Sequence, residues 1–98
     1  MAKKSLAQNE LEDFNKVFKA LAHPTRRHIL VVLRSKGDQM AAGEIVSAFS
    51  YRWPTITRHM QLLQKSGLVS VTRSGTQQLY TLDKTRLKTV VGNWIKWF

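Results

Sequence analysis

The sequence predicts a mainly α-helical domain with one β-hairpin, ordered α-α-α-α-β-β-α. Three observations predict it. Apolar residues recur at helical spacing in four stretches before Gly67 and in one after Asp83. From Leu68 to Leu82 the period drops to two, around a Ser74-Gly75-Thr76 turn. Chain breakers stand at the junctions: Pro24, Gly37-Asp38, Pro54 and Gly67. Ninety-eight residues, 43% of them hydrophobic, suffice for one domain (1–98) with a small core.

Residues 1–8 are basic and polar and are expected to be disordered. No apolar segment of a secretory signal follows Lys3-Lys4, and the longest apolar run, Ile29 to Leu33, is far too short to span a bilayer. A cytoplasmic location is expected. Asn9 reads as an N-cap, with Glu12 three residues on. Leu11, Phe14, Val17, Phe18, Leu21 and Ala22 then make one apolar stripe, so the first helix spans 9–22. His23-Pro24 ends it. A second helix, Thr25 to Lys36, turns Ile29, Leu30 and Leu33 inward, and Val31 and Val32 widen its apolar surface. Arg26 and Arg27 fall in its first turn, where the macrodipole disfavours cations. An ion pair between one of them and an acid of the first helix is the expected resolution; a phosphate contact is the other. Ala41 to Phe49 reads as a short third helix with Ile45, Ala48 and Phe49 inward.

Ser50 to Trp53 is a tight turn into the most informative stretch of the chain. Pro54 suits a first helical turn, where its missing N–H has no intrahelical partner to lose. Ile56, Met60 and Leu63 form a thin apolar stripe. Arg52, Thr55, Thr57, Arg58, Gln61 and Lys65 are left outward, and Gly67 suits the C′ position. A short helix, a tight turn and a longer polar-faced helix make a helix-turn-helix over 41–66. The hairpin over 68–82 carries Leu68, Val69 and Val71 on one strand and Leu79, Tyr80 and Leu82 on the other. Its tip, Arg73 to Gln78, is polar and cationic. A helix-turn-helix followed by a hairpin is a winged helix. Asp83 can cap a last helix, 84–98, on which Leu87, Val90, Val91, Trp94, Ile95 and Phe98 share one face.

Charge points to a polyanionic partner. The chain carries 16 basic and 6 acidic residues, and from Tyr51 to Gly75 there are four basic side chains and no acid. A cationic helix with short hydroxyls fits a DNA major groove, so Arg52, Thr55, Thr57 and Arg58 are assigned to DNA. Arg58 is long enough to pair with guanine O6 and N7, and Gln61 is a candidate base reader. Arg73 and Gln77 on the wing are expected at phosphate. The bland alternative, a solvated amphipathic helix, does not account for the wing beside it. The last helix has more apolar face than so small a domain can cover. Val91, Trp94, Trp97 and Phe98 are therefore expected to form a homodimer seam with Leu11, Phe14 and Phe18. A protein-interaction module that uses this face to hold a partner protein is the rival reading. Trp53 either staples its helix to the previous one or touches the DNA backbone.

Other chemistries are excluded or poorly supported. Cysteine is absent, which rules out disulfides, thiolate metal sites and cysteine redox switches. His59 has no spaced ligand partner, and His23 and His28 lie on different helical segments, so no metal is expected. A core-edge hydrogen bond or a phosphate contact is the expected role of His59. No nucleophile, base and acid are arranged together, so neither an enzyme nor a cofactor is expected.

Two motifs resemble a known family. Phe18-Lys19-Ala20-Leu21-Ala22-His23-Pro24-Thr25-Arg26-Arg27-His28-Ile29-Leu30 is similar to the opening of ArsR-type bacterial repressors. Pro54-Thr55-Ile56-Thr57-Arg58-His59-Met60, then Leu63 and Ser66-Gly67-Leu68-Val69, resembles that family's recognition helix and its exit. The resemblance covers roughly residues 14–98. It implies a homodimeric winged-helix repressor, paired through its first and last helices on a palindromic, double-stranded operator. Many ArsR-type proteins sense metals, through cysteines before the recognition helix or His and acidic ligands on the last one. Here Gly43 to Phe49 has no thiol, and Lys84 to Phe98 has no His and no acid. The chain thus resembles the metal-free, SdpR-like branch, which shares the Asn93-Trp94 and Phe98 ending and implies autoregulation. Relief would then come from another source, an anti-repressor protein among the candidates.

Overall fold

The computed structural model describes residues 6–98. Its elements run α1 (Gln8–Leu21), α2 (Pro24–Ser35), β1 (Gln39–Ala41), α3 (Ala42–Ser47), α4 (Trp53–Lys65), β2 (Val69–Ser74), β3 (Gln77–Leu82) and α5 (Lys84–Ile95). The disorder expected for residues 1–8 falls mostly on 1–5, outside the described residues. Gln8 is already helical. Asn9 is therefore not the cap of α1: Ala7 holds that place, with no side-chain cap bond.

The core gathers one stripe from each helix. Phe14, Val17 and Ala20 of α1, Ile29, Leu30 and Leu33 of α2, and Ile45 of α3 meet Ile56, Met60 and Leu63 of α4. Leu68, Val69, Tyr80, Leu82 and Val90 close it from the sheet and α5. Two inward assignments fail, because Ala22 and Ala48 are exposed. Each lies at a helix C-terminus, where the chain turns away from the core. Val31 also faces solvent, so α2 is buried along one side only.

The expected two-stranded hairpin is a three-stranded antiparallel sheet, ordered β1-β3-β2. Met40 pairs with Tyr80 and Val71 with Tyr80 from the other side. The added strand solves the problem of an isolated hairpin, which is marginal in water. At three residues β1 is too short to display an alternation. It is set up by Gly37 and Asp38, both at positive φ (80° and 74°), which reverse the chain after α2. Asp38 then ties the junction: its carboxylate is 3.4 Å from Arg34 and 3.1 Å from Lys84, and its carbonyl accepts from Leu82 N–H at 2.7 Å.

Candidate nucleic-acid interface

α4 is anchored from below. Ile56, Met60 and Leu63 are buried, while Arg52, Thr55, Arg58, Gln61 and Lys65 are exposed. Arg52 occupies the N-cap and Pro54 the first turn. Thr57 is half-buried, and its hydroxyl donates to the Trp53 carbonyl at 2.9 Å, so only its lone pairs remain for a partner. At the far end Gly67 takes φ +80°, the left-handed C′ residue expected from sequence. A Cβ there would run into the side chain of Arg86, whose Cδ would be 2.8 Å away. Arg86 Nε donates to the Ser66 carbonyl at 2.7 Å and its Nη2 lies 3.1 Å from Asp13. One α5 side chain thus fixes the exit of α4 and ties it to α1.

The tip of the wing and the start of α4 line one hollow. Arg73 and Gln77 are exposed beside the Gly75-Thr76 turn, where Ser74 pairs with Gln77 and Gly75 has φ +61°. A shallow hollow joins Trp53 to Arg73, Thr76, Gln77 and Gln78 on one side and to Ala41–Glu44 on the other. Trp53 is 55% exposed, so it is not a buried staple; it lines this hollow between the start of α3 and the wing. Sequence reasoning placed the wing residues and α4 separately and did not bring them together through Trp53.

The two arginines of α2 are explained differently from expectation. Among the described residues neither forms an ion pair with an acid of α1. Arg26 is 8% exposed; its Nε donates to the Ala20 carbonyl at 2.8 Å and its Nη2 to the Lys19 carbonyl at 3.0 Å. Arg27 Nη1 donates to the Leu21 carbonyl at 2.8 Å. Both cations thus sit at the negative end of the α1 macrodipole, which the short His23-Pro24 connection brings against the start of α2. The misfit was visible in the sequence, but its partner was backbone rather than an acid.

Arg26 also holds α4. Its Nη1 lies 3.2 Å from Nδ1 of His59, whose ring centre is 4.4 Å from that of His23. Partial burial pushes the His59 pKa below 6.5, and His23 and Arg26 beside it push the same way. The neutral ring can then accept from Arg26, which fits the core-edge hydrogen bond expected of His59. His23 Nδ1 accepts from the Thr25 N–H and caps α2. His28 is elsewhere, edge-on to Phe49. Among the described residues no three His, Asp or Glu side chains converge.

Between them α1 and α5 expose an apolar groove of about 430 Å³, lined by Leu6, Leu11, Phe14, Asn15, Phe18, Trp94, Trp97 and Phe98. Phe18 stands edge-on to Trp94 at 5.1 Å, and Trp94 meets Phe98 at 5.0 Å. Phe98 is 91% exposed. Of the expected seam residues, Phe14 is already buried within the protomer and Val91 is half-buried against the core. Leu11, Phe18, Trp94, Trp97 and Phe98 line the groove.

Comparison with known proteins agrees with this architecture. A helix-turn-helix domain family matches residues 21–72. The chain is 40% identical over 81 residues to the transcriptional repressor SdpR of Bacillus subtilis, spanning 83% of this chain and 87% of that one. It is similar to the crystal structure of an ArsR family transcriptional regulator, with TM-score 0.77 and 29% identity over 98% of this chain and 90% of that one. It is also similar to the solution structure of a homodimeric winged helix-turn-helix DNA-binding domain of Mycobacterium bovis, with TM-score 0.74 and 28% identity. That match spans 97% of this chain and 88% of the other.

Proposed function

The chain belongs to the ArsR family of winged-helix regulators, and we propose that it is a DNA-binding transcriptional repressor. It acts as a homodimer on an inverted-repeat operator, represses its own transcription and needs no metal. The observation that carries the reading is the set of exposed basic and polar side chains on α4 and the wing, with no acid among them. Arg52, Thr55, Arg58 and Gln61 are exposed on α4, and Arg73 and Gln77 are exposed on the wing, where they share a hollow with Trp53. With the seam residues of two copies opposed, the two α4 helices enter successive major grooves about one helical turn apart. The exposed aromatic groove of α1 and α5 supports that pairing.

The test is a footprint on the DNA upstream of the chain's own gene, with binding measured at several salt concentrations. Protection of an inverted repeat, with log affinity falling steeply against log salt, is expected. A flat salt response, or no preference for any inverted repeat at low salt, refutes the function. Protection elsewhere only refutes autoregulation. Chelator should leave the affinity unchanged. Arg58→Ala should lose ~1–3 kcal/mol of discrimination per contacted base pair, whereas Arg73→Ala should weaken all sequences alike.

A further inference from the structure

Lys16 and Lys19 of α1 and Lys65 of α4 line one hollow of about 280 Å³, floored by Ala20, Leu62 and Ser66. Two helices thus bring three lysine side chains to one hollow whose other lining residues are uncharged. Within the described residues none of the three has a hydrogen bond or ion pair from its amino group. Asp13, one turn before Lys16, is held by Arg86. Grouped like charges repel, and an anion seated among them reverses the sign of that interaction.

The position of the hollow says which anion. A period of 3.6 puts Trp53 and Thr57 on one flank of α4 and Leu62 and Ser66 on the other, with Arg58 outward between them. The tip of the wing shares a hollow with Trp53 on the first flank. The lysine hollow occupies the second. Lys65 lines both this hollow and the surface shared with Gln61 and Gln64, so the cationic face of α4 runs on into it. A helix seated in a major groove has a phosphate wall on either side. We propose that Lys16, Lys19 and Lys65 bind the phosphodiester backbone on the wall opposite the wing, so that each protomer grips both strands of its half-site. The assignment rests on the DNA-binding reading above.

The experiment measures the salt slope of operator binding for the unaltered chain, for Lys16→Gln/Lys19→Gln and for Lys16→Arg/Lys19→Arg. Each phosphate contact contributes about 0.9 to the slope. Four such charges per dimer should therefore lower it by about 3–4 in the glutamine variant, with the ratio of specific to nonspecific affinity unchanged. The arginine variant should restore the slope. Circular dichroism and the melting temperature establish that both variants fold. An unchanged slope in a folded glutamine variant, while the unaltered chain binds its operator, overturns this assignment and leaves the function standing. No operator binding by the unaltered chain overturns both. The source of the anion is decided with inorganic phosphate alone. Millimolar phosphate that stabilises the unaltered chain but not the glutamine variant, with equal salt slopes, would make the hollow a site for a free anion and refute the DNA contact.

Discussion

Replacing Arg26 with alanine distinguishes a structural arginine from a DNA-facing one. Its guanidinium is nearly buried and donates to two carbonyls of the last turn of α1, at 2.8 and 3.0 Å, with His59 Nδ1 at 3.2 Å. A hydrogen bond from a charged donor is worth ~1.5–3 kcal/mol net. After truncation water can reach part of this end, because Lys19, Ala22 and His23 are exposed. The lower part of that range therefore applies to each carbonyl, and the total loss should be about 2–4 kcal/mol. For a domain of this size that lowers the melting temperature by roughly 10–20 °C. Urea unfolding followed by circular dichroism reads it, at one protein concentration, since dimerisation couples to stability. Arg27→Ala is the control: exposed, with a single bond to the Leu21 carbonyl, it should cost under ~1 kcal/mol. If Arg26→Ala unfolds within ~0.5 kcal/mol of the unaltered chain, and instead loses operator affinity with a shallower salt slope, the structural reading is wrong.

Gly67→Ala should destabilise by more than ~1 kcal/mol, since φ is +80° and the new methyl meets the Arg86 side chain. Adding Arg86→Ala should recover the steric part but not the backbone part, so a strictly additive double mutant in urea unfolding would sink the account. Phe98→Ser should leave the protomer folded and weaken the dimer. Burying a phenylalanine is worth ~1.5–3 kcal/mol, twice over in a symmetric seam. Sedimentation velocity should show the dimer Kd rising at least tenfold, and an unchanged Kd would remove this residue from the seam. His59 makes stability depend on pH. Its folded pKa is lowered below 6.5, first by burial and then by His23 and Arg26, so the unfolded chain takes up the proton first. The contribution is present above about 6.5 and is lost as pH falls from there toward the folded value; His59→Asn should flatten the urea midpoint over that interval, and an identical pH profile in the variant refutes the linkage.

Helices with strong periodicity were legible because a buried stripe leaves a direct trace. Ile56, Met60 and Leu63, at i, i+4 and i+7, all end up buried. Asp83 was readable as a cap for the same local reason, and its side chain does accept from the Arg86 N–H at 2.9 Å. β1 was not readable, because three residues cannot show a period and the strand exists only by pairing with β3, some forty residues on. The Asn9 cap failed because a polar residue at a helix start carries no mark of whether the chain has already begun to turn. Arg26 and Arg27 showed a local conflict, but its resolution lay in where α1 ends in space. The hollow shared by Trp53 and the wing is likewise tertiary: nothing in the spacing of Trp53 and Gln77 announces that they line one surface.

The same tertiary ties connect the expected seam to α4. In the proposed dimer α1 supplies Leu11 and Phe18 to the partner while its last turn holds Arg26, and Arg26 holds His59 in the middle of α4. α5 supplies Trp94 and Phe98 to the same seam, and its Arg86 holds the exit of α4 at Ser66 and the side of α1 at Asp13. α4 is thus fastened at its middle and at its end by the two helices that would form the dimer. Operator binding requires the two α4 helices to stand about one helical turn of DNA apart. Arg26 and Arg86 are the side chains that tie these two helices to α4. Charge-preserving Arg86→Lys keeps an ammonium near Asp13 but cannot span Asp13 and the Ser66 carbonyl together. It should therefore weaken operator binding while leaving the salt slope intact. A variant that instead lost slope and kept half-site discrimination would place Arg86 on the DNA rather than between the seam and α4.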